Sequence, residues 1–114
     1  MDEDRQMRRL PRFRIQGVTG AITTPQEAEV INLSLGGALV EHQGMLRVGG
    51  VCLLDLPVPG EPLTVRCRVV HSGAVRRDRD GTLYYRTGIE FIDLTPEAEQ
   101  ALEAFIRSYG APSQ

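Results

Sequence analysis

The chain has 114 residues, of which 41% are hydrophobic and 25% charged, and its formal net charge is -2. This length holds one domain and not two, with enough chain to bury a core without metal or disulfide staples. The near-neutral balance excludes a global pull towards DNA or membrane surfaces, and no apolar run approaches the ~20 residues needed to cross a bilayer.

Residues 1–14 form the first segment. It is polar, lacks periodicity and concentrates Arg5, Arg8, Arg9, Arg12 and Arg14. All 13 basic side chains of the protein are arginines, the residue type best suited to forking onto phosphates and stacking on bases. Pro11 disfavours helix at Leu10, so an extended, flexible arm is expected. The N-terminus carries no apolar stretch of the secretory kind, and the expected location is the cytoplasm.

Residues 15–94 read as a β domain. Short runs rich in β-branched and aromatic residues show period-2 alternation: the segment from Phe13, Glu27–Leu35, Ala38–Glu41, Val51–Leu56, Leu63–Val69 and Thr82–Ile92. Gly49-Gly50, Pro59-Gly60 and Asp80-Gly81 punctuate them as turns. The pattern predicts an antiparallel barrel or sandwich, with Ile31, Leu33 and Leu35 directed to the core. Cys52 and Cys67 fall in apolar strands and are expected to be core residues, not a disulfide or metal pair. His42 and His71 lie far apart in sequence, no CxxC spacing exists, and no metal site is expected.

Residues 95–109 switch to a helical period. Thr95 is placed to cap the N-terminus with Pro96 at the first helical position. Ala98, Ala101, Leu102, Phe105, Ile106 and Tyr109 make an apolar stripe expected to lie on the barrel. Gly110 is expected to stop the helix, leaving 110–114 as a tail.

Two constellations carry chemistry. The first is Arg8-x-x-x-Arg12. In an extended arm these side chains point the same way about 13 Å apart, matching a ligand with two bases and two phosphates. Taken alone, it reads better as a solvated basic tail. The second is Asn32-x-Ser34-x-x-Gly37. With the apolar trio inward, Asn32 and Ser34 face outward side by side, and Gly37 marks a place where a positive φ or a close ligand approach is needed. Taken alone, this is a polar strand end with a Gly-Gly bulge.

In combination, and in this order, the motifs resemble those of the PilZ domain family. The resembling stretches are MRRLPRFRI (7–15), VINLSLGGALVE (30–41) and YRTGIEFIDLTPEAEQALEAFI (85–106), so the resemblance runs from one end of the chain almost to the other. The resemblance implies a six-stranded antiparallel barrel with one C-terminal helix that binds cyclic di-GMP and is not an enzyme. It implies that Arg8 and Arg12 grip guanine edges and phosphates and that Arg9 is a secondary phosphate contact. Asn32 and Ser34 would hydrogen-bond a guanine, with Gly37 admitting the backbone. Met7 supplies no cation for a second intercalated ligand, so one ligand per chain is expected. The signal would pass to a separate, unidentified downstream protein. The alternative is a nucleotide-independent adaptor in motility or secretion.

Other classes fare worse. The residues show no nucleophile–base pair and no phosphate-cradling glycine loop, and His71 with Asp78 or Asp80 reads as a polar hairpin end, not an acid–base pair. Beyond the arm the chain is acidic and poor in aromatics, so no DNA or RNA partner and no membrane insertion are expected. No cofactor is expected beyond the dinucleotide ligand.

Overall fold

The computed structural model describes residues 12–18, 25–58, 60 and 62–110. Among them are six strands: β1 (Arg12–Val18), β2 (Pro25–Leu33), β3 (Gly37–His42), β4 (Val51–Leu56), β5 (Leu63–Arg77) and β6 (Leu83–Ile92). Every pairing is antiparallel, and the order β1-β2-β3-β6-β5-β4 closes into a barrel because β4 returns to β1. Closure leaves no unpaired sheet edge among these strands. The all-β class with six strands and one C-terminal helix is the architecture expected from the sequence.

The period-2 pattern sorts residues between inside and outside. Cys52, Leu54 and Leu56 of β4 lie opposite Cys67, Val65 and Leu63 of β5 within the barrel, and Val40, Val69, Ile89 and Phe91 belong to the same core. Cys52 and Cys67 register directly opposite one another as buried free thiols. In this sheet interior they act as small apolar residues.

Two departures from simple alternation shape the outer surface. The pairing of β2 with β3 shifts register between Val30 and Asn32, which makes Ile31 an extra residue. The β2 contribution to the core is therefore Ala28, Val30 and Leu33, while Ile31 is half-buried and Leu35 is 40% exposed. Of the expected inward trio, Leu33 alone is fully buried. A bulge changes the face a strand presents, and single-strand alternation does not reveal it.

The second departure is the length of β5, which continues from Val69 to Arg77. Its pairing with β6 shifts between Val69 and His71 and again between Ala74 and Arg76, leaving Val70 and Val75 outside the ladder and about half exposed. Each shift resets the alternation, so the apolar pattern ends eight residues before the strand does. The β5–β6 hairpin closes with Asp78 N–H donating to the Thr82 carbonyl, Gly81 N–H to the Asp78 carbonyl and Thr82 N–H to the Asp80 carboxylate. The Gly81 φ of 92° accounts for glycine at that turn.

The helix α1 spans Pro96–Gly110 and thus includes the residue expected to end it. Thr95 Oγ1 accepts the Ala98 N–H at 3.0 Å, as its capping role requires. Leu102 and Phe105 are buried and Ile106 partly so, seating the helix on the barrel beside β5. Glu103 and Arg107 pair across one turn on the solvent face.

Candidate functional site

β1 begins at Arg12, three residues earlier than the expected barrel boundary, and Arg12 registers opposite Glu29 of β2. Antiparallel pairing then sets the geometry. The chain comes into β1 at the end of the sheet towards which β2 runs through Val30 to Asn32 and Ser34. Asn32 and Ser34 are both exposed there. Arg8 and Arg9 lie outside the described residues.

Asn32 stands on the outer surface opposite Leu39. Ser34 lies just past the end of β2 and closes the turn into β3. Its N–H donates to the Gly37 carbonyl at 2.9 Å, its hydroxyl donates to the same carbonyl at 3.3 Å, and it accepts the Gly36 N–H at 3.3 Å. A hydroxyl so engaged keeps one acceptor position for a ligand N–H. Phe91 N–H donates to the Gly36 carbonyl at 2.9 Å and pins this turn to β6.

Gly37 has a reason for being glycine within the protein itself. Its φ is not positive, and a Cβ placed on it would stand 2.1 Å from the Ile89 carbonyl oxygen. The close approach is therefore to the protein's own β6. A Cβ on Gly36 beside it would meet nothing within 4 Å.

The row that holds Asn32 extends across three more strands. Leu39 pairs with Gly88 of β6, and Gly88 pairs with His71 of β5. The His71 ring reaches back over Gly88, its Nε2 2.3 Å from where a Cβ on Gly88 would stand. His71 is not near the carboxylates with which it could be imagined to pair. Asp78 is bound by Arg76 and Asp80 by the Thr82 N–H, at a hairpin end about 20 Å along β5 at the usual strand rise. The hydrogen bond from Thr82 holds the Asp80 carboxyl below its ordinary range.

A second polar cluster lies where the β5–β6 hairpin meets β3. His42 is buried, with Nε2 2.6 Å from Thr87 Oγ1, and Thr87 Oγ1 lies 2.7 Å from Ser72 Oγ. The ring stacks on Tyr85, and its buried Nδ1 closes no well-formed hydrogen bond with a described residue. Burial pushes the His42 pKa down, against weaker opposing effects from the Gly44 backbone and Glu41. Glu41 receives Arg76 at 3.0 Å and Arg86 at 3.1 Å, and Arg76 also lies over the Tyr84 ring. The adjoining cleft, about 330 Å³, is lined by Glu27, Glu29, Glu41, His42, Arg76 and Tyr84 among others. Sequence patterning gave no sign of this cluster, because Glu41, Arg76 and Arg86 meet only through strand pairing.

Among the described residues no group of three or more His, Cys, Asp or Glu is placed to hold a metal ion, and no helix is long and apolar enough to cross a membrane.

The family model for the PilZ domain matches residues 3–108. The chain belongs to the PilZ domain family. Its barrel is similar to the structure described as the PilZ domain with c-di-GMP of YcgR from Escherichia coli, at 15% identity and a TM-score of 0.68, covering 89% of this chain and 83% of that one. It is also similar to K. pneumonia MrkH in its apo state, at 15% identity and a TM-score of 0.69 over 90% of this chain. A structure of the K. pneumonia MrkH–c-di-GMP complex matches at 14% identity and a TM-score of 0.61 over 82% of this chain. This PilZ domain spans about half of MrkH, covering 48% and 44% of those two chains. No curated protein matches the sequence.

Proposed function

We propose that this PilZ domain is a receptor for cyclic di-GMP that relays its ligand state to a separate partner protein. The observation that carries the reading is that β1 begins, at Arg12, at the sheet end where Asn32 and Ser34 stand exposed. A complete Arg8-x-x-x-Arg12 therefore leads directly into the strand beside a complete Asn32-x-Ser34-x-x-Gly37. The family match and the c-di-GMP named with the YcgR and MrkH structures support the choice of ligand.

In this reading Arg8 and Arg12 fork onto guanine and phosphate, and Arg9 adds a phosphate contact. Asn32 presents both a donor and an acceptor to a guanine edge, while Ser34 offers its one remaining acceptor to a guanine N–H. Gly37 serves the site by holding the turn against β6. Each forked arginine contributes about 1–3 kcal/mol. A dissociation constant of about 1 µM or somewhat tighter, with one ligand per chain, suits a reversible receptor. The surface that the bound ligand and the protein present together is what a partner reads.

Calorimetric titration of cyclic di-GMP into the wild type, Arg12→Ala and Asn32→Ala tests the proposal. Micromolar binding that both variants lose is the expected result. Absence of binding by a folded wild-type protein would sink it and leave a nucleotide-independent adaptor as the better account.

A further inference from the structure

We infer that His71 is a further wall of the ligand platform, contacting the base that Asn32 holds. The inference rests on the cyclic di-GMP reading and adds a residue that neither motif contains.

The first observation is register. Asn32, Leu39, Gly88 and His71 occupy one row across β2, β3, β6 and β5, each opposite the next. Directly opposed residues share a face of the sheet. Val40, Thr87 and Ile89, the sequence neighbours of this row, are buried, so the row lies on the outer surface.

The second observation concerns how Asn32 and His71 come to face outward at all. Ala28 and Val30 point inward on β2, so unbroken alternation would turn Asn32 inward too. Val65, Cys67 and Val69 point inward on β5, so unbroken alternation would do the same to His71. The register shifts at Val30/Asn32 and Val69/His71 reverse both. Two bulges on non-adjacent strands thus fall in the same row, and each turns a polar residue out onto one surface. Re-aiming a side chain is what a bulge does at a binding surface. After its bulge β5 returns Ser72 inward, where its hydroxyl meets Thr87.

The third observation is the vacancy between them. Gly88 has no side chain, and the tip of the His71 ring occupies that space: Nε2, Cδ2 and Cε1 lie 2.3, 2.8 and 2.8 Å from the position of a Cβ. The ring tip is thereby drawn to within about two strand spacings, roughly 10 Å, of Asn32. Half-buried Leu39 forms the floor between them. A purine is an apolar plate with a polar rim. Its face fits Leu39, one edge meets the Asn32 amide, and the opposite side meets the imidazole.

The experiment combines binding and magnetic resonance on the full chain. The protein has two histidines, and His42 is buried inside the barrel, so its ring signals serve as an internal control. Titration with cyclic di-GMP is expected to shift the His71 ring protons and leave those of His42 in place. His71→Ala is expected to weaken binding about tenfold at unchanged thermal stability, and His71→Phe to restore most of the loss. If the wild type binds, Asn32→Ala loses binding, and His71→Ala binds as the wild type with its ring signals unmoved in the parent, the inference is overturned while the cyclic di-GMP reading stands. If the folded wild type does not bind, both fall together.

Discussion

Replacing Gly37 by alanine tests whether this glycine serves the fold or the ligand. A Cβ there would stand 2.1 Å from the Ile89 carbonyl oxygen, 3.2 Å from its carbon and 3.3 Å from Glu90 Cα, all backbone atoms of β6. Ordinary contact at such a position begins at 3.4 Å, so β3 and β6 must part by more than an ångström. That movement strains the Gly37–Glu90 pairing and the 2.9 Å bond from Phe91 N–H to the Gly36 carbonyl. Overpacking costs about 1–3 kcal/mol, and a weakened ladder bond adds about 1 kcal/mol. For a chain of this size the melting temperature should fall by about 10 °C or more. Gly36→Ala is the matched control. It meets nothing within 4 Å and its φ is not positive, so it should be neutral or gain up to about 1 kcal/mol by stiffening the unfolded chain. Thermal and urea denaturation of the two variants and the wild type decide the matter. A Gly37→Ala protein as stable as the wild type, or a Gly36→Ala protein equally weakened, would refute the reasoning. If it holds, lost binding in Gly37→Ala reports a displaced turn, and Ser34 with it.

Gly88→Ala meets a side chain instead of backbone, so it should destabilise less than Gly37→Ala while expelling the His71 ring from its seat, a change visible in the ring-proton spectrum. Stability should decline as pH falls below the ordinary histidine value of 6.5: burial lowers the His42 pKa in the fold, so the unfolded chain binds the proton more readily and folding loses ground until the folded-state pKa is passed. Melting curves from pH 8 to pH 5 should show this decline and His42→Gln should flatten it; an unchanged slope in the variant would assign the effect elsewhere. Thr95→Ala removes the acceptor for the Ala98 N–H and should cost about 1 kcal/mol in denaturant titrations without altering cyclic di-GMP affinity.

What the sequence alone determined is whatever depends on neighbours along the chain. The alternation of Leu63–Val69 set a strand and its buried face, the apolar run Val51–Leu56 set a second strand, and Thr95-Pro96 set the start of α1, because side-chain period and capping are local. The two motifs were legible as spacing, and one of them as a strand end. Tertiary structure decided how that surface comes to look outward. A bulge is a relation between two strands, one extra residue set against a partner, so neither Ile31 nor Val70 announces itself in its own segment. The pairing of β3 with β6 decided why residue 37 is glycine, and the pairing of β5 with β6 decided that His71 lies over Gly88 in the row of Asn32. These contacts join residues distant in sequence, and their physical cause is the closure of six strands around a single core, which fixes every register at once.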